Sequence, residues 1–183
     1  MRKNNKTFFA AFSAVTAAAY AVMTIVLAPI SYGPVQLRVS ELLCILPFFI
    51  PESVWGLFLG CLLANLITGN LFDIVFGSLA TLAAALLTAF FGKRGNTRIN
   101  CILACLMPVL INALVIGAVV TAAYNGLNVF RHAGAFVLNA GQIALGEGAV
   151  LFLGGLPLIR TLPTFRPFQE LLKKANAKRS LFL

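Results

Sequence analysis

The stretch KRGNTR, Lys93 to Arg98, separates two long apolar runs and decides how many times the chain crosses a membrane. It holds three basic residues in a chain in which only 10% of the residues are charged. Lysine and arginine collect in the cytoplasmic loops of membrane proteins. The stretch therefore predicts a cytoplasmic loop, and the apolar runs on either side are predicted to cross the membrane in opposite directions.

The composition of the chain is that of an integral membrane protein. Hydrophobic residues make up 60% of the sequence, and the mean hydropathy is +0.95. Soluble domains have roughly 45–50% apolar and about 25% charged residues, so the excess apolar surface here needs lipid around it. The net charge is +9. Because the basic residues cluster at the two ends and in KRGNTR, this charge indicates membrane topology rather than a nucleic-acid-binding face.

The apolar runs predict an all-α integral membrane protein, a single domain over residues 1–183. The predicted helices cover about 8–30, 41–50, 53–68, 73–92, 99–123 and 134–159, and a basic cytoplasmic tail follows over 160–183. At roughly 1.5 Å per residue the second helix is too short to cross a bilayer alone. We therefore expect its ends to lie in protein or in a water-filled cavity. The first run resembles a signal peptide, but its length predicts a retained helix.

Charge separates this six-helix arrangement from a five-helix alternative, in which the second and third runs form one broken helix. With six spans and a cytoplasmic N-terminus, the N-terminus, KRGNTR and the tail all face the cytoplasm. All of the 14 lysine and arginine residues except Arg38 and Arg131 then lie inside. Five spans would place the loop and the tail outside, against the positive-inside rule. The sequence thus predicts six spans with both termini in the cytoplasm.

Three acidic residues, Glu41, Asp73 and Glu147, lie within or at the ends of the predicted membrane helices. A charge at the bilayer centre costs roughly 2.5–3.5 kcal/mol on insertion scales, so such residues usually face a cavity or a partner. Gln36 and Arg38 precede Glu41 in the first outer loop. We therefore interpret Glu41 and Asp73 as binding residues. Alternatively, they stabilise helix N-termini, or Arg38 and Glu41 form a structural ion pair.

The sixth predicted helix contains the polar sequence NAGQIALGEGAV, in which Asn139, Gln142 and Glu147 share one broad face at about 100° per residue. The alternative is a glycine-packed helix with an internally hydrogen-bonded glutamate. Asn112 follows Pro108 in the fifth helix, where it could satisfy backbone groups that the proline frees. The predicted substrate-binding residues are Gln36, Arg38, Glu41, Asp73, Asn112, Asn139, Gln142 and Glu147.

Other motifs point away from enzymatic chemistry. The four cysteines lie in apolar runs, where they are predicted to be packing residues rather than metal ligands. The sequence has no nucleophile–base pair and no phosphate loop, so we predict no enzyme activity, no metal and no cofactor. Ala10, Ala14 and Ala18 recur every four residues in the first helix, which is typical of a close-packing surface in membranes.

Three stretches resemble the QueT family: YGPVQLRVSELLCILPFF, GCLLANLITGNLFDIVFGSLATLAAALLTA and NAGQIALGEGAVLFLGGLPL. Members of this family are substrate-binding S components of energy-coupling factor (ECF) transporters, and the likeness covers nearly the whole chain. The resemblance implies a six-helix capture subunit in a bacterial plasma membrane. It also implies partners, namely a coupling transmembrane subunit and two ABC ATPases that use the ATP.

The resemblance further implies that Ala10, Ala14 and Ala18 dock on the coupling subunit, and that the substrates are queuosine precursors, which are 7-deazaguanines. Aromatic rings such as that of Tyr32 could stack on the base. Two alternatives stay open: an S component for another vitamin or purine-like molecule, and a stand-alone gradient-driven carrier. Which precursor is preferred, and which acid contacts it, is not decided by the sequence.

Overall fold

The computed structural model describes residues 2–32, 36–69 and 71–179, and the regular structure in these ranges is entirely helical. The helices are α1 (Arg2–Val26), α2 (Val39–Phe49), α3 (Ser53–Thr68), α4 (Asp73–Lys93), α5 (Arg98–Tyr124), α6 (Ala133–Thr164) and α7 (Arg166–Arg179). Four of them, α1, α4, α5 and α6, are long and apolar enough to cross a membrane, while α2 and α3 are shorter apolar helices. The prediction of an all-α membrane protein is confirmed.

The first and last helices differ from their predicted ranges. α1 begins at Arg2 rather than near Phe8 and ends at Val26, after which a single turn, Ala28–Ser31, continues the path. Pro29 stands in the first turn of that short helix, where a residue without an N–H group is tolerated. At the other end α6 continues to Thr164, and part of the predicted tail forms α7. Residues 180–183 of that tail lie outside the described residues.

The short helix α2 lies at the centre of the bundle. It packs against α1, α4, α5 and α6, and Glu41 and Cys44 are completely buried within it. Its first part, Val39–Ile45, is a 3₁₀-helix, which rises about 2.0 Å per residue and so reaches further than an α-helix of equal length. Because neighbouring helices surround α2, its polar groups are kept away from lipid.

Glycines allow α1 and α3 to approach closely. A Cβ atom at Gly60 would lie 2.7 Å from the carbonyl oxygen of Ala17, and one at Gly56 would crowd Ser13 in the same way. The contact face of α1 therefore includes Ser13 and Ala17. The predicted docking residues lie on the remaining surface of the helix, where they are exposed; they are Ala10, Ala14 and Ala18.

Within the described residues, three π-helical segments interrupt the α-helical geometry: Asp73–Gly77 in α4, Val120–Tyr124 in α5 and Ala149–Gly155 in α6. Such segments are rare and frequently occur at functional sites. The first two lie at the same end of the bundle, at the start of α4 and the end of α5, where they border the cavity described next.

Candidate functional site

A cavity of about 350 Å³ lies at the end of the bundle opposite the KRGNTR loop. Its volume is in the range of small-molecule binding sites. The lining residues come from the segment after α1 and from α4, α5 and α6; they are Tyr32, Gln36, Arg38, Asp73, Val120, Tyr124, Asn125, Asn139, Gln142 and Ile143. The structure thus brings together five of the predicted binding residues: Gln36, Arg38, Asp73, Asn139 and Gln142.

Arg38 supplies a buried positive charge to the cavity wall. Its side chain is only 6% exposed, and its guanidinium carbon lies 5.4 Å from the centroid of the Tyr32 ring. Tyr32 is held in turn by a hydrogen bond of 3.1 Å from its hydroxyl to the carbonyl oxygen of Ala64 in α3. No described residue accepts a hydrogen bond from the Nε of Arg38. The cation is therefore oriented by an aromatic face and keeps a free donor.

Gln36 enters the cavity from a strained backbone conformation. Its φ angle is +38°, in the left-handed region that side-chain-bearing residues rarely adopt. The backbone N–H of Arg38 donates a hydrogen bond of 2.9 Å to the carbonyl oxygen of Gln36, which closes a tight turn. Strain of this kind clusters at ligand-binding sites, and here it places Gln36 and Arg38 on the same cavity wall.

Asp73 joins three helices at the rim of the cavity. The Tyr124 hydroxyl, at the end of α5, donates a hydrogen bond to the Asp73 carboxylate. The Asn65 side-chain amide in α3 donates a hydrogen bond of 2.9 Å to the backbone oxygen of Asp73. These two hydrogen bonds fix the position of the carboxylate, and Asp73 is only 9% exposed.

The α6 wall of the cavity is formed by Asn139, Gln142 and Ile143. The side-chain amide of Asn139 donates a hydrogen bond of 2.9 Å to the Oγ1 atom of Thr121 in α5. The two helices come close because Gly117 has no side chain: a Cβ atom there would lie 2.9 Å from the Cα of Ala140. This close approach fixes the Asn139 amide relative to α5.

Glu147 and Asn112 form a buried pair beneath the cavity rather than in its wall. Glu147 follows Ile143 by four residues, so it lies one helical turn deeper on the same face. The Asn112 amide donates a hydrogen bond of 2.6 Å to Oε1 of Glu147, while Oε2 is buried and has no partner among the described residues. Glu147 is 2% exposed, and neither residue lines the cavity.

Glu41 also lies outside the cavity wall. It is completely buried; its Oε1 accepts a hydrogen bond from the Tyr20 hydroxyl, and its Oε2 accepts one of 2.8 Å from the Cys44 thiol. Both carboxylate oxygens are therefore engaged by groups other than Arg38. In this structure Glu41 connects α1 to α2.

The comparison with known families decides the family of the chain. The sequence profile described as "QueT transporter" matches residues 10–164, which is most of the chain. The chain belongs to the QueT transporter family. Together with its long apolar helices, this membership makes it a multi-pass membrane protein.

One curated relative is the queuosine precursor transporter QueT of Lactococcus lactis subsp. cremoris (strain MG1363). It is 37% identical over 82 residues, which cover 44% of this chain and 48% of that protein. The chain therefore spans about half the length of the curated relative that it matches. No solved structure matches the chain.

Sequence reasoning missed four of the lining residues: the apolar Val120 and Ile143, and the polar Tyr124 and Asn125 at the end of α5. Tyr124 and Asn125 could have been predicted because they place an aromatic residue next to an amide at the same end of the bundle as Asp73. The same outer loop also contains Asn128 and His132, so this signal does not separate lining residues from solvated ones. Across the residues that the structure describes, no three His, Cys, Asp or Glu side chains come together to hold a metal ion.

Proposed function

We propose that this chain is the substrate-binding S component of an ECF importer and captures queuosine precursors, 7-deazaguanines, from outside a bacterial plasma membrane. The observation that carries the proposal is the cavity at the end opposite KRGNTR, whose wall contains several polar side chains. With KRGNTR and both termini in the cytoplasm, this cavity faces the exterior. Family membership and the name of the curated relative support the substrate class.

The groups in the cavity wall suit the edge of a deazaguanine. The ring offers a carbonyl oxygen as acceptor, next to a ring N–H and an exocyclic amino group as donors. The guanidinium of Arg38 and the amide of Gln36, which both line the cavity, would donate to the carbonyl oxygen. Amide side chains also accept, so the oxygens of Asn139 and Gln142 would receive the ring donors. Each binding role is assigned to a residue that lines the cavity.

Two tyrosines supply aromatic faces for a planar base. Tyr32 and Tyr124 both line the cavity, and each hydroxyl is already held by a hydrogen bond. Their rings are therefore oriented before a ligand arrives. Stacking on an aromatic ring contributes about 0.5–1.5 kcal/mol beyond the area that it buries, and it would favour a flat heterocycle over an aliphatic vitamin.

In this proposal the energy for import comes from partners. The exposed alanines of α1, Ala10, Ala14 and Ala18, would dock on the coupling transmembrane subunit, since small residues let two helices approach closely. Two ABC ATPases attached to that subunit would hydrolyse the ATP, and this chain would use no cofactor of its own. A stand-alone gradient-driven carrier would need no such docking surface.

Calorimetric titration of the purified chain in detergent tests the substrate claim. Calorimetry is preferable to fluorescence because Trp55 is the only tryptophan and does not line the cavity. We expect saturable binding of 7-cyano-7-deazaguanine and weaker binding of an unrelated vitamin such as biotin. Gln142→Ala should weaken binding about tenfold, as expected for a lost hydrogen bond worth about 1.4 kcal/mol.

The matched control is Leu145→Ala, which truncates a neighbouring residue of α6 that is 73% exposed. It should leave the affinity unchanged. A folded sample that binds no deazaguanine would overturn the substrate claim. Uptake by cells that contain this chain with and without the ATPases then separates an ECF component from a gradient-driven carrier, because only the former loses transport without them.

A further inference from the structure

The acidic side chains in and near the cavity outnumber the basic ones. Arg38 and Asp73 line the cavity, while Glu41 and Glu147 are buried outside its wall. Three carboxylates therefore share this region with one guanidinium. The other acidic residues, Glu52 and Glu170, lie at the opposite end of the bundle, in the turn before α3 and in α7.

The partners of the two deep carboxylates are neutral. Tyr20 and Cys44 donate hydrogen bonds to Glu41, and Asn112 donates one to Glu147. These bonds stabilise the carboxylates without supplying positive charge. With all three acids ionised the region has an excess of two negative charges, and protonation of one acid still leaves an excess of one.

An excess charge matters in this setting because the surroundings are apolar. Charges interact more strongly in a medium of low effective dielectric constant than they do in water. A buried charge without a counter-ion is correspondingly costly. A positively charged ligand group in the cavity would compensate the excess, whereas a neutral group would leave it in place.

Asp73 is the acid placed to receive such a group. It is the one carboxylate among the described lining residues, and both oxygens of Glu41 are already engaged. Tyr124 bonds to Oδ2 of Asp73, which orients the carboxylate and leaves Oδ1 for a ligand. The π-helical segments that begin at Asp73 and end at Tyr124 set this pair at the cavity rim.

We infer that the cavity takes a positively charged substrate, and that Asp73, oriented by Tyr124, is the subsite for an ammonium substituent of that substrate. The inference rests on the proposed function and narrows it. Among 7-deazaguanines, it selects a ring with a 7-aminomethyl group, which is a primary ammonium at neutral pH. The 7-cyano compound has the same deazaguanine ring, but its 7-substituent carries no charge. Arg38 remains available for the ring carbonyl.

Calorimetry on the full chain at pH 7 compares 7-aminomethyl-7-deazaguanine with 7-cyano-7-deazaguanine. The aminomethyl compound should bind at least about tenfold more tightly, equivalent to about 1.4 kcal/mol. Asp73→Asn removes the charge but keeps the shape, and should weaken aminomethyl binding at least about tenfold. It should change cyano binding by less than about threefold. Tyr124→Phe should act in the same direction with a smaller effect, and it keeps the test valid if Asp73→Asn fails to fold.

The control variant is Glu170→Gln, which removes a carboxylate from α7 and should change neither affinity. Equal binding of both compounds by the unmodified chain would overturn the charge preference and leave the proposed function standing. An equal loss of affinity for both compounds in Asp73→Asn would also overturn the charge preference and leave the proposed function standing. Binding of neither compound by a folded sample would overturn the proposed function and this inference with it.

Discussion

The side-chain amide of Asn112 lies 2.6 Å from Oε1 of Glu147, one helical turn beyond Ile143 in the cavity wall. The two residues are 35 positions apart and connect α5 to α6. Glu147 is buried and its Oε2 has no partner among the described residues, so its carboxylate depends on the bond from Asn112. The pair therefore supports the cavity from beneath rather than forming its wall.

Asn112→Leu should destabilise the protein by about 1–3 kcal/mol, because it leaves a buried carboxylate without a donor. The double variant Asn112→Leu/Glu147→Leu should recover most of that loss, since replacing both partners by apolar groups is nearly neutral. Thermal unfolding of the purified chain in detergent measures both effects. A double variant as unstable as the single one would contradict this account.

Gly60→Ala should lower the unfolding temperature, because the new Cβ would lie 2.7 Å from the carbonyl oxygen of Ala17 and push α1 away from α3. Overpacking typically costs about 1–3 kcal/mol. Gly148→Ala is the same chemical change at a position where no described atom beyond the adjoining turns of its own helix lies within 4 Å of the added Cβ. It should leave stability unchanged or raise it by up to about 1 kcal/mol. Equal effects of the two substitutions would disprove the close α1–α3 contact.

Gln36→Gly should raise stability and lower substrate affinity together. Glycine adopts the φ of +38° without steric cost, and a net gain of about 0.5–1 kcal/mol remains after the entropy that glycine adds to the unfolded chain. The same change deletes an amide from the cavity wall. Melting and calorimetry on one sample measure both quantities. Gln142→Ala is the comparison, because it should lower affinity with no gain in stability.

Ala14→Trp and Ala18→Trp should abolish uptake in cells while leaving binding by the isolated chain intact, because both alanines are exposed on α1 and lie away from the cavity. Under the proposed function the expected block is steric, at the surface of α1 that would dock on a coupling subunit. Leu145→Trp places the same side chain on an exposed position of α6 and should not reduce uptake. Normal uptake by the α1 variants would argue against docking through this surface.

The sequence by itself determined the class of the protein and much of its helix pattern. Apolar composition and the basic stretch KRGNTR can be read directly from the sequence. The preference of a side chain for water or lipid depends on its own chemistry, whatever residues lie near it in space. The ranges of α3 and α4 follow from such signals. Spacing along α6 also placed Asn139 and Gln142 on one face, and both line the cavity.

Only the tertiary structure decided which polar residues share the cavity and which lie beneath it. Helical periodicity gives the face of a helix but neither the depth of a side chain nor its partner on another helix. Glu41 and Asp73 have similar positions in the sequence pattern, each near the start of a helix. Yet Glu41 is enclosed by Tyr20 and Cys44, whereas Asp73 reaches the cavity and bonds to Tyr124, 51 residues away. Contacts between such distant residues depend on how the helices pack, and this packing is what converts a set of polar side chains into a site.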